Sequence, residues 1–410
     1  MTHRNGIRCL LALCVLVLPS AGCRPKKPAA AIQPVSFARE LPPGELALRK
    51  ISPSEYPDFT PVGQDDPRRV LQSIDQSLQY LKAPSSQRYF PYLDITHDRA
   101  VATLTTLRDL YKREMVDKVP GDGAALNAAI RERFDVYKSV GGWDAQNGRY
   151  VGRVLFTGYF TPIYPASLTR TGAYQWPLYK RPADLVSSDD GETAGRRTAD
   201  GQIVPHFSRA EIERDGKLAG QEFVWLANRF DAYVITVQGS AVLRLTDGRT
   251  LEIGFAGQNG HPYVSPGLQM VADGVIRKED LSLRTMRAYF DAHPEQMDKY
   301  LLMNPRTVFF TERPGGPFGK LNVKVTPQAT IATDKSVYPR AMPAFLTVPM
   351  ARGAGIPSAP FHGFMLDQDT GGAIRAAGRA DIYMGIGPAA EDLAGHQMNE
   401  GELYYLAVKP

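Results

Sequence analysis

Cysteine is nearly absent from this chain of 410 residues, which has three, at Cys9, Cys14 and Cys23. Beyond residue 23 the sequence can therefore form no disulfide and offers no cysteine nucleophile. Histidine is also scarce, and no two of the seven histidines stand four residues apart, the spacing of a zinc-binding helix. The sequence therefore predicts no metal site.

Nucleotide-binding and serine-hydrolase motifs are missing as well. There is no G-x-x-x-x-G-K-[S/T] loop, no G-x-G-x-x-G after a predicted strand and no G-x-S-x-G motif. The acidic run from Asp367 resembles the start of a calcium loop, but its twelfth position is Gly378, where a glutamate is needed. The 48 basic and 43 acidic residues are too balanced to indicate nucleic acid as a partner.

The first 22 residues have the pattern of a secretory signal peptide. Arg4 and Arg8 precede an apolar run over 9–18, and small residues follow that run up to Cys23. The run is too short to span a bilayer. Its end, Ala-Gly-Cys, resembles the cleavage site of bacterial lipoproteins, in which the cysteine becomes the lipidated first residue. We therefore predict a signal peptide over 1–22 and lipidation of Cys23.

The stretch 23–50 is rich in proline and is predicted to join the lipid anchor to the body of the protein as a stiff tether. Arg24 follows the cysteine, and by the usual lipoprotein sorting rule a residue other than aspartate favours the outer membrane. We expect an outer membrane lipoprotein that faces the periplasm, or a soluble periplasmic protein if Cys23 is not lipidated.

Apolar periodicity divides the body into a helical part and a β-rich part. Three N-terminal helices are predicted, the first capped by Asp66, over 67–81, 97–115 and 123–139. Later segments predict strands over 151–156, 234–237, 242–245 and 250–255, with a hairpin turn at Asp247-Gly248. The segment 280–303 is predicted to be helical, with Ser282 as a cap and a break at Pro294, and short strands and turns follow. The expected fold class is α+β, mainly β with N-terminal helices.

Two aspartates in glycine-rich surroundings are the candidate catalytic groups. Asp369 and Asp381 stand at the ends of apolar, β-like segments, and Gly371 and Gly372 would let a ligand approach the backbone closely. Many such aspartates only cap turns. A buried aspartate can, however, act as an acid near neutral pH, because desolvation raises its pKa. Sugar chemistry needs such an acid, since the leaving glycosidic oxygen must be protonated.

Several motifs follow one another in the last two thirds of the chain: FTGYFTP at 156–162, VQGS at 237–240, GQNGHPY at 257–263, NPRTVFF at 304–310, ATDKSVYP at 332–339, DTGGAI at 369–374 and DIY at 381–383. This ordered set, within residues 150–410, resembles the membrane-bound lytic murein transglycosylase A family. The C-terminal module of that family is named for three aspartates, which fall here on Asp334, Asp369 and Asp381.

The resemblance implies a fold and a groove. It implies a double-psi β-barrel catalytic domain, built with the N-terminal helices from residues 51–162 and 312–410. A second β domain, over 163–311, would be inserted in the barrel and form the other wall of a glycan groove.

The resemblance also implies a peptidoglycan lytic exotransglycosylase. Such a lyase cleaves the β-1,4 bond between N-acetylmuramic acid and N-acetylglucosamine and leaves 1,6-anhydromuramic acid ends. Asp381 would be the acid and base, Asp369 would support it, and no cofactor would be needed. The implied partners are peptidoglycan glycan strands, the membrane through the lipid anchor, and a cell-wall synthesis or hydrolysis complex.

Seven residues are expected to bind the substrate, through hydroxyl, amide, carboxylate or aromatic groups: Thr157, Tyr159, Gln238, Ser240, Asn259, Tyr263 and Asp334. Two other readings stay open. One is a peptidoglycan hydrolase in which Asp369 or Asp367 activates water. The other is a non-catalytic wall-binding lipoprotein, because a fold alone does not give a function.

Overall fold

The structure is a computed structural model that describes residues 35–64, 66–188 and 193–410. The predicted signal peptide, Cys23 and the first part of the tether lie outside the described residues. Among the helices that are described, none is long and apolar enough to cross a membrane.

The described residues form nine α-helices: α1 Pro67–Leu81, α2 His97–Tyr111, α3 Gly123–Arg133, α4 Arg209–Glu213, α5 Arg229–Gln238, α6 Pro266–Ala272, α7 Leu283–Ala292, α8 Met297–Leu301 and α9 Pro388–His396. A π-helical turn continues α2 over Lys112–Val116. Short 3-10 turns lie at Pro53–Glu55, Thr60–Gln64, Pro84–Tyr89, Lys278–Asp280 and Pro294–Gln296.

The same part of the chain forms nineteen strands: β1 Leu48–Lys50, β2 Phe134–Ser139, β3 Trp143–Asp144, β4 Arg149–Tyr150, β5 Val154–Thr161, β6 Ile163–Ser167, β7 Trp176–Tyr179, β8 Leu185–Ser187, β9 Thr193–Arg197, β10 Ile203–Val204, β11 Glu222–Leu226, β12 Ser240–Leu245, β13 Thr250–Gln258, β14 Val308–Glu312, β15 Thr330–Ala332, β16 Pro343–Met350, β17 Ala359–Asp369, β18 Arg379–Ile386 and β19 Met398–Val408.

Six strands close into a barrel. Their order is β19-β16-β17-β15-β18-β5, and β5 pairs back with β19, so that the barrel has no free edge. Strands β2 and β1 extend the sheet outward from β19. The predicted fold class, an α+β structure that is mainly β and contains a β-barrel, is confirmed.

The N-terminal helices cover one side of the barrel. Helix α1 begins where the Asp66 side chain accepts a hydrogen bond from the Arg68 N–H, with Pro67 as its first residue. On its buried stripe, the Ser73 hydroxyl donates a hydrogen bond to the Ala329 carbonyl oxygen at 2.8 Å, next to β15. The Tyr111 ring at the end of α2 lies edge-on to the Phe364 ring of β17, with centroids 6.0 Å apart. These helices therefore add a core layer to the barrel and leave the other side free for a site.

A second sheet of six strands, in the order β14-β13-β12-β6-β11-β7, comes from the chain between β5 and β15. The hairpin of β12 and β13 turns at Asp247-Gly248, as predicted. The described residues together form one compact unit. The proposed boundaries of the two domains, 51–162 with 312–410 and 163–311, therefore stay a prediction.

Two predicted elements have the wrong secondary structure. The helix predicted over 123–139 ends at Arg133, and 134–139 is strand β2, because its buried aromatic and β-branched residues pair with β19. The strand predicted over 234–237 lies in helix α5. The Asn228 side chain caps α5, and Gly239, with φ of 81°, ends it. Helix α9 was not expected at all.

The structure also corrects the predicted tether over 23–50. Within its described part, β1 pairs with β2 and the backbone of Ser36 bridges that of Trp143. The Arg39 guanidinium lies 3.8 Å above the Trp143 ring. Leu48 is fully buried. A few apolar residues are enough to hold this segment on the barrel, although its composition is that of a linker.

Candidate active site

Strand β15 brings the two candidate aspartates together. Ala332, its last residue, is paired with Asp369 of β17 on one side and with Asp381 of β18 on the other. Strand β15 runs parallel to β17 and antiparallel to β18. Three motifs that are distant in the sequence therefore meet at one place on the barrel.

Asp381 is the least satisfied of the site's polar groups. It is partly buried, and its Oδ1 atom is buried without a hydrogen-bond partner among the described residues. Burial raises the pKa of Asp381 to about 6, against the opposing effects of the Arg379 charge and a hydrogen bond from Thr157. The charge of Asp369 is the smallest of the causes and raises the pKa further. A carboxyl group in this setting can hold or release a proton near neutral pH.

Asp369 has a different environment, in which both carboxylate oxygens accept hydrogen bonds. Its Oδ1 accepts hydrogen bonds from the backbone N–H groups of Lys320 and Thr370, both at 2.8 Å. Its Oδ2 accepts one from the Tyr159 hydroxyl at 2.9 Å. Burial raises the pKa of Asp369, and these hydrogen bonds act against the rise by stabilising the carboxylate. Asp369 therefore holds together the parts of the site around it.

A cavity of about 480 Å³ opens beside the two aspartates, between the barrel and the second sheet. Its lining includes six of the residues predicted for the site: Tyr159, Gln238, Ser240, Tyr263, Asp369 and Asp381. The volume is that of an ordinary small-ligand site. Residues separated by more than two hundred positions in the chain thus share one cavity.

Gln238 and Ser240 join the second sheet to the barrel where the cavity is formed. The Gln238 Oε1 atom accepts a hydrogen bond from the backbone N–H of Phe160 at 3.0 Å. The Ser240 hydroxyl lies 3.2 Å from that of Thr161, which lies 3.0 Å from the Tyr383 hydroxyl. These bonds fix the end of α5 against β5, so both residues position the cavity wall.

Thr157 lies behind the cavity wall, paired in register with Asp381. Its hydroxyl accepts a hydrogen bond from Arg379 at 3.1 Å and, as noted above, donates one to the aspartate. Thr157 therefore lowers the pKa of the Asp381 carboxyl group without lining the cavity itself.

Asn259 and Asp334 are outside the cavity lining, and both bind backbone groups. The Asn259 side chain donates to two carbonyl oxygens and accepts from the Thr307 N–H at 3.0 Å. Asp334 accepts from the N–H groups of Ser336 and Ala376. Their predicted contact with substrate stays a prediction, whereas their contacts in the structure hold loops in place.

A buried ion pair lies beneath the site and was not predicted. Asp367 is fully buried and accepts hydrogen bonds from Lys335, from Thr333 and from Tyr405, the last two at 2.7 Å. Burial raises the pKa of Asp367 and lowers the pKa of Lys335. This arrangement leaves no exposed oxygen on Asp367, so the structure gives no support to its activating water. The sequence Asp367-Gln368-Asp369 alone does not indicate that Asp367 is in the core and Asp369 is at the cavity.

Arg306 is a second residue that the sequence did not single out. Its guanidinium lies against Gly372, where an added Cβ would come within 2.5 Å of the Arg306 Nε atom. Gly372 in the motif at 369–374 therefore leaves room for this arginine in the cavity. The described residues include no group of three or more His, Cys, Asp or Glu side chains placed to hold a metal ion.

Two family models match consecutive parts of the chain. The MltA specific insert domain matches residues 155–311, and the 3D domain matches residues 329–407. The second sheet lies in the first match, and both aspartates lie in the second. The chain therefore belongs to the class of proteins in which an MltA insert precedes a 3D domain that carries the aspartates.

Curated relatives carry one name. The membrane-bound lytic murein transglycosylase A of Escherichia coli K12 is 33% identical over 277 residues, which are 65% of this chain and 69% of the relative. That of Vibrio cholerae is 30% identical over 276 residues, 66% of this chain and 68% of the relative. The chain belongs to the membrane-bound lytic murein transglycosylase A family.

Solved structures have the same fold. A membrane-bound lytic murein transglycosylase from Agrobacterium tumefaciens superposes with a TM-score of 0.71 at 25% identity and covers 88% of this chain and 98% of its own. E. coli MltA with bound chitohexaose has a TM-score of 0.66 at 24% identity and covers 92% and 97%. The second similarity shows the fold alone.

Proposed function

We propose that this enzyme cleaves the β-1,4 bond between N-acetylmuramic acid and N-acetylglucosamine in peptidoglycan and forms 1,6-anhydromuramic acid ends, with Asp381 as the single acid and base. One observation carries the proposal. In a cavity of about 480 Å³, the Asp381 Oδ1 atom is buried and has no hydrogen-bond partner in the part of the chain that the structure describes, and burial raises the pKa of the group to about 6. The name and reported ligand of the relatives support the choice of a glycan.

The first step would use the protonated form of Asp381. With a pKa of about 6, roughly a tenth of the molecules carry this proton at pH 7. The carboxyl group donates its proton to the glycosidic oxygen, which leaves as the hydroxyl of N-acetylglucosamine. The C1–O bond breaks with its electron pair on that oxygen, and positive charge develops at C1 of the muramic acid.

The second step would use the carboxylate that the first step produces. It removes the proton from the 6-hydroxyl of muramic acid, and O6 forms a bond to C1. The enzyme thus returns to its protonated form and the products have the same atoms as the substrate. Because the attacking oxygen belongs to the sugar, no second carboxylate is needed to activate water, and the intramolecular attack has a large advantage of proximity.

Asp369 would act as a positioning residue in this scheme. Its hydrogen bonds to Lys320, Thr370 and Tyr159 join a loop, a turn and strand β5 around the cavity. Its charge is the smallest influence on the pKa of Asp381. The support that the family resemblance implies for Asp369 is therefore best explained by geometry.

Analysis of the sugar ends after digestion of purified murein tests the proposal. We expect anhydro ends from the wild type and none from Asp381→Asn, which can neither donate nor remove the proton. Free reducing ends would establish instead that the protein is a peptidoglycan hydrolase. Binding to murein with no new ends of either kind would establish the non-catalytic wall-binding protein.

We also propose that lipidation of Cys23 holds the enzyme at the outer membrane, facing the periplasm. The supporting observations are the signal-peptide pattern and Arg24 in the sequence. Cys23→Ser should yield a soluble periplasmic protein that still cuts murein in vitro. A variant that remains in the membrane after a salt wash would show that another element attaches it. Association with a cell-wall synthesis or hydrolysis complex stays a prediction.

A further inference from the structure

The cavity carries more positive charge than a neutral glycan needs. Among the described residues that line it, only two are acidic, while four are basic: Arg306, Arg313, Lys320 and Arg375. N-acetylglucosamine and the ring of N-acetylmuramic acid are uncharged, and hydroxyl, amide and aromatic groups suffice to bind them. Of the four basic residues, Arg313 and Lys320 lie close together in the sequence and point to a negatively charged part of the ligand.

Arg313 is the clearest of these cations. Its side chain is half-buried, donates a hydrogen bond to Asn322 and lies 4.5 Å above the ring of Phe318. No carboxylate of the described residues lies within 4.0 Å of its guanidinium nitrogens. Burial lowers the pKa of Arg313, and no neighbouring acid counteracts this effect. A half-buried cation without a counter-ion costs folding free energy that a bound anion would return.

Arg313 and Lys320 belong to one loop, residues 313–322, which we call the cationic loop. It is fixed directly to the candidate catalytic centre. Its Lys320 N–H donates to Asp369 Oδ1 at 2.8 Å. An added Cβ at Gly319 would lie 2.8 Å from the Gln368 carbonyl oxygen, so the loop touches strand β17. The backbone of the loop is thus fixed at Gly319 and Lys320 to the strand that carries Asp369.

We propose that the cationic loop binds a carboxylate attached to the lactyl group of N-acetylmuramic acid, and thereby sets the register of the glycan in the cavity. This inference rests on the proposed function. The carboxylate is either that of the lactyl group itself, on strands without peptides, or one of those of the attached peptide. Either occurs on every second sugar. A carboxylate bound to Arg313 and Lys320 would therefore fix which of the two alternating sugars presents its C1 atom to Asp381, and the proposed function requires that sugar to be muramic acid.

Calorimetric binding in the Asp381→Asn background tests the inference without turnover. The three ligands are chitohexaose, which is neutral, a murein hexasaccharide without peptides, and one that bears peptides. The test variant carries Arg313→Gln and Lys320→Gln. The control variant carries Lys324→Gln, an exposed lysine of the same region that does not line the cavity. Arg313→Lys, which keeps the charge, accompanies them in case the test variant melts at a lower temperature.

The parent protein is the Asp381→Asn variant without further changes. We expect the test variant to bind at least one murein ligand about tenfold more weakly than the parent, equivalent to ~1.4 kcal/mol. Its affinity for chitohexaose should stay within twofold of that of the parent. Weakening confined to the peptide-bearing ligand identifies the peptide carboxylates, and weakening that includes the peptide-free ligand identifies the lactyl carboxylate. Arg313→Lys and Lys324→Gln should bind like the parent, and raised salt should weaken only the charged ligands.

Two results would overturn the inference while leaving the proposed function intact. One is unchanged affinity of the test variant for both murein ligands, and the other is an equal loss for chitohexaose. If the parent protein binds none of the three ligands, the cavity is not a glycan site, and the proposed function fails with it.

Discussion

Asp369 and Asp381 are in register with the same residue of strand β15, one on each side of it. Two strand spacings therefore separate their Cα atoms, roughly 9–10 Å. At that separation the two groups do not share a proton as a touching carboxylate pair does. This explains why burial, and not the neighbouring charge, is the main cause of the raised pKa of Asp381.

The pH dependence of murein cleavage should report Asp381. Because the first step needs the protonated carboxyl group, kcat/KM should fall above the pKa, which is about 6. Asp381→Asn should lower kcat by ~10²–10⁴ or more. Activity of that variant within threefold of wild type would remove Asp381 from the mechanism. Asp109→Asn, an exposed aspartate on α2, is the matched control.

The stability of the wild type should also depend on this group. A folded-state pKa of about 6, above the unfolded value, means that the folded protein holds the proton more tightly. The stabilisation is full below the unfolded pKa and is lost as the pH rises through about 6. Between pH 4 and 7 the wild type should therefore lose up to ~3 kcal/mol relative to Asp381→Asn. Denaturant titrations at several pH values measure the difference, and parallel curves would contradict it.

Thr157→Val should move the alkaline limb of the pH–rate profile upward. The hydroxyl of Thr157 donates a hydrogen bond that lowers the pKa of Asp381, and valine keeps the shape without the bond. We expect a shift of several tenths of a pH unit, with a modest change in kcat. A limb that moves downward, or not at all, would show that this hydrogen bond is not made in the working enzyme.

Asp369→Asn should affect geometry more than pH dependence. The substitution removes a negative charge, so the alkaline limb should move to lower pH, but by less than half a unit, because this charge is the smallest cause. In the variant, the amide NH₂ group takes the place of Oδ2 and cannot accept the hydrogen bond that the Tyr159 hydroxyl donates. Because this contact between the aspartate and β5 is lost, we expect kcat/KM to fall about tenfold. A shift of a full unit or more would mean that the two carboxyl groups are coupled directly.

Removing one member of the buried Lys335–Asp367 ion pair should destabilise the barrel more than removing both members. Lys335→Met leaves a fully buried carboxylate without its cation, which should lower the free energy of unfolding by about 3–5 kcal/mol. The double variant with Asp367→Leu removes both charges and should recover most of the loss. Urea unfolding of both variants decides. Equal losses in the single and double variants would contradict the pairing argument.

The sequence by itself determined the features that depend on local pattern or on ordered motifs. Helix α1 follows from apolar spacing after the Asp66 cap, and the β12–β13 hairpin follows from Asp247-Gly248. The motifs also placed Asp369 and Asp381 in one site. These signals are readable because caps, turns and periodicity act over a few residues, whatever surrounds them.

Only the tertiary structure decided what depends on distant neighbours. Residues 134–139 became a strand because β1 and β19 lie on either side of them. Asp367 became a core ion pair, while Asp369, two positions later, faces the cavity. Residues two apart in a regular strand point to the same side, but the pairing with β15 is irregular here, because Ile331 pairs with Asp367 and the next residue, Ala332, pairs with Asp369. Within the described part of the chain, the lack of a counter-ion at Arg313 and of a hydrogen-bond partner for Asp381 Oδ1 are likewise properties of the assembled site. Burial and pairing arise between segments far apart in the chain, so no local pattern contains them.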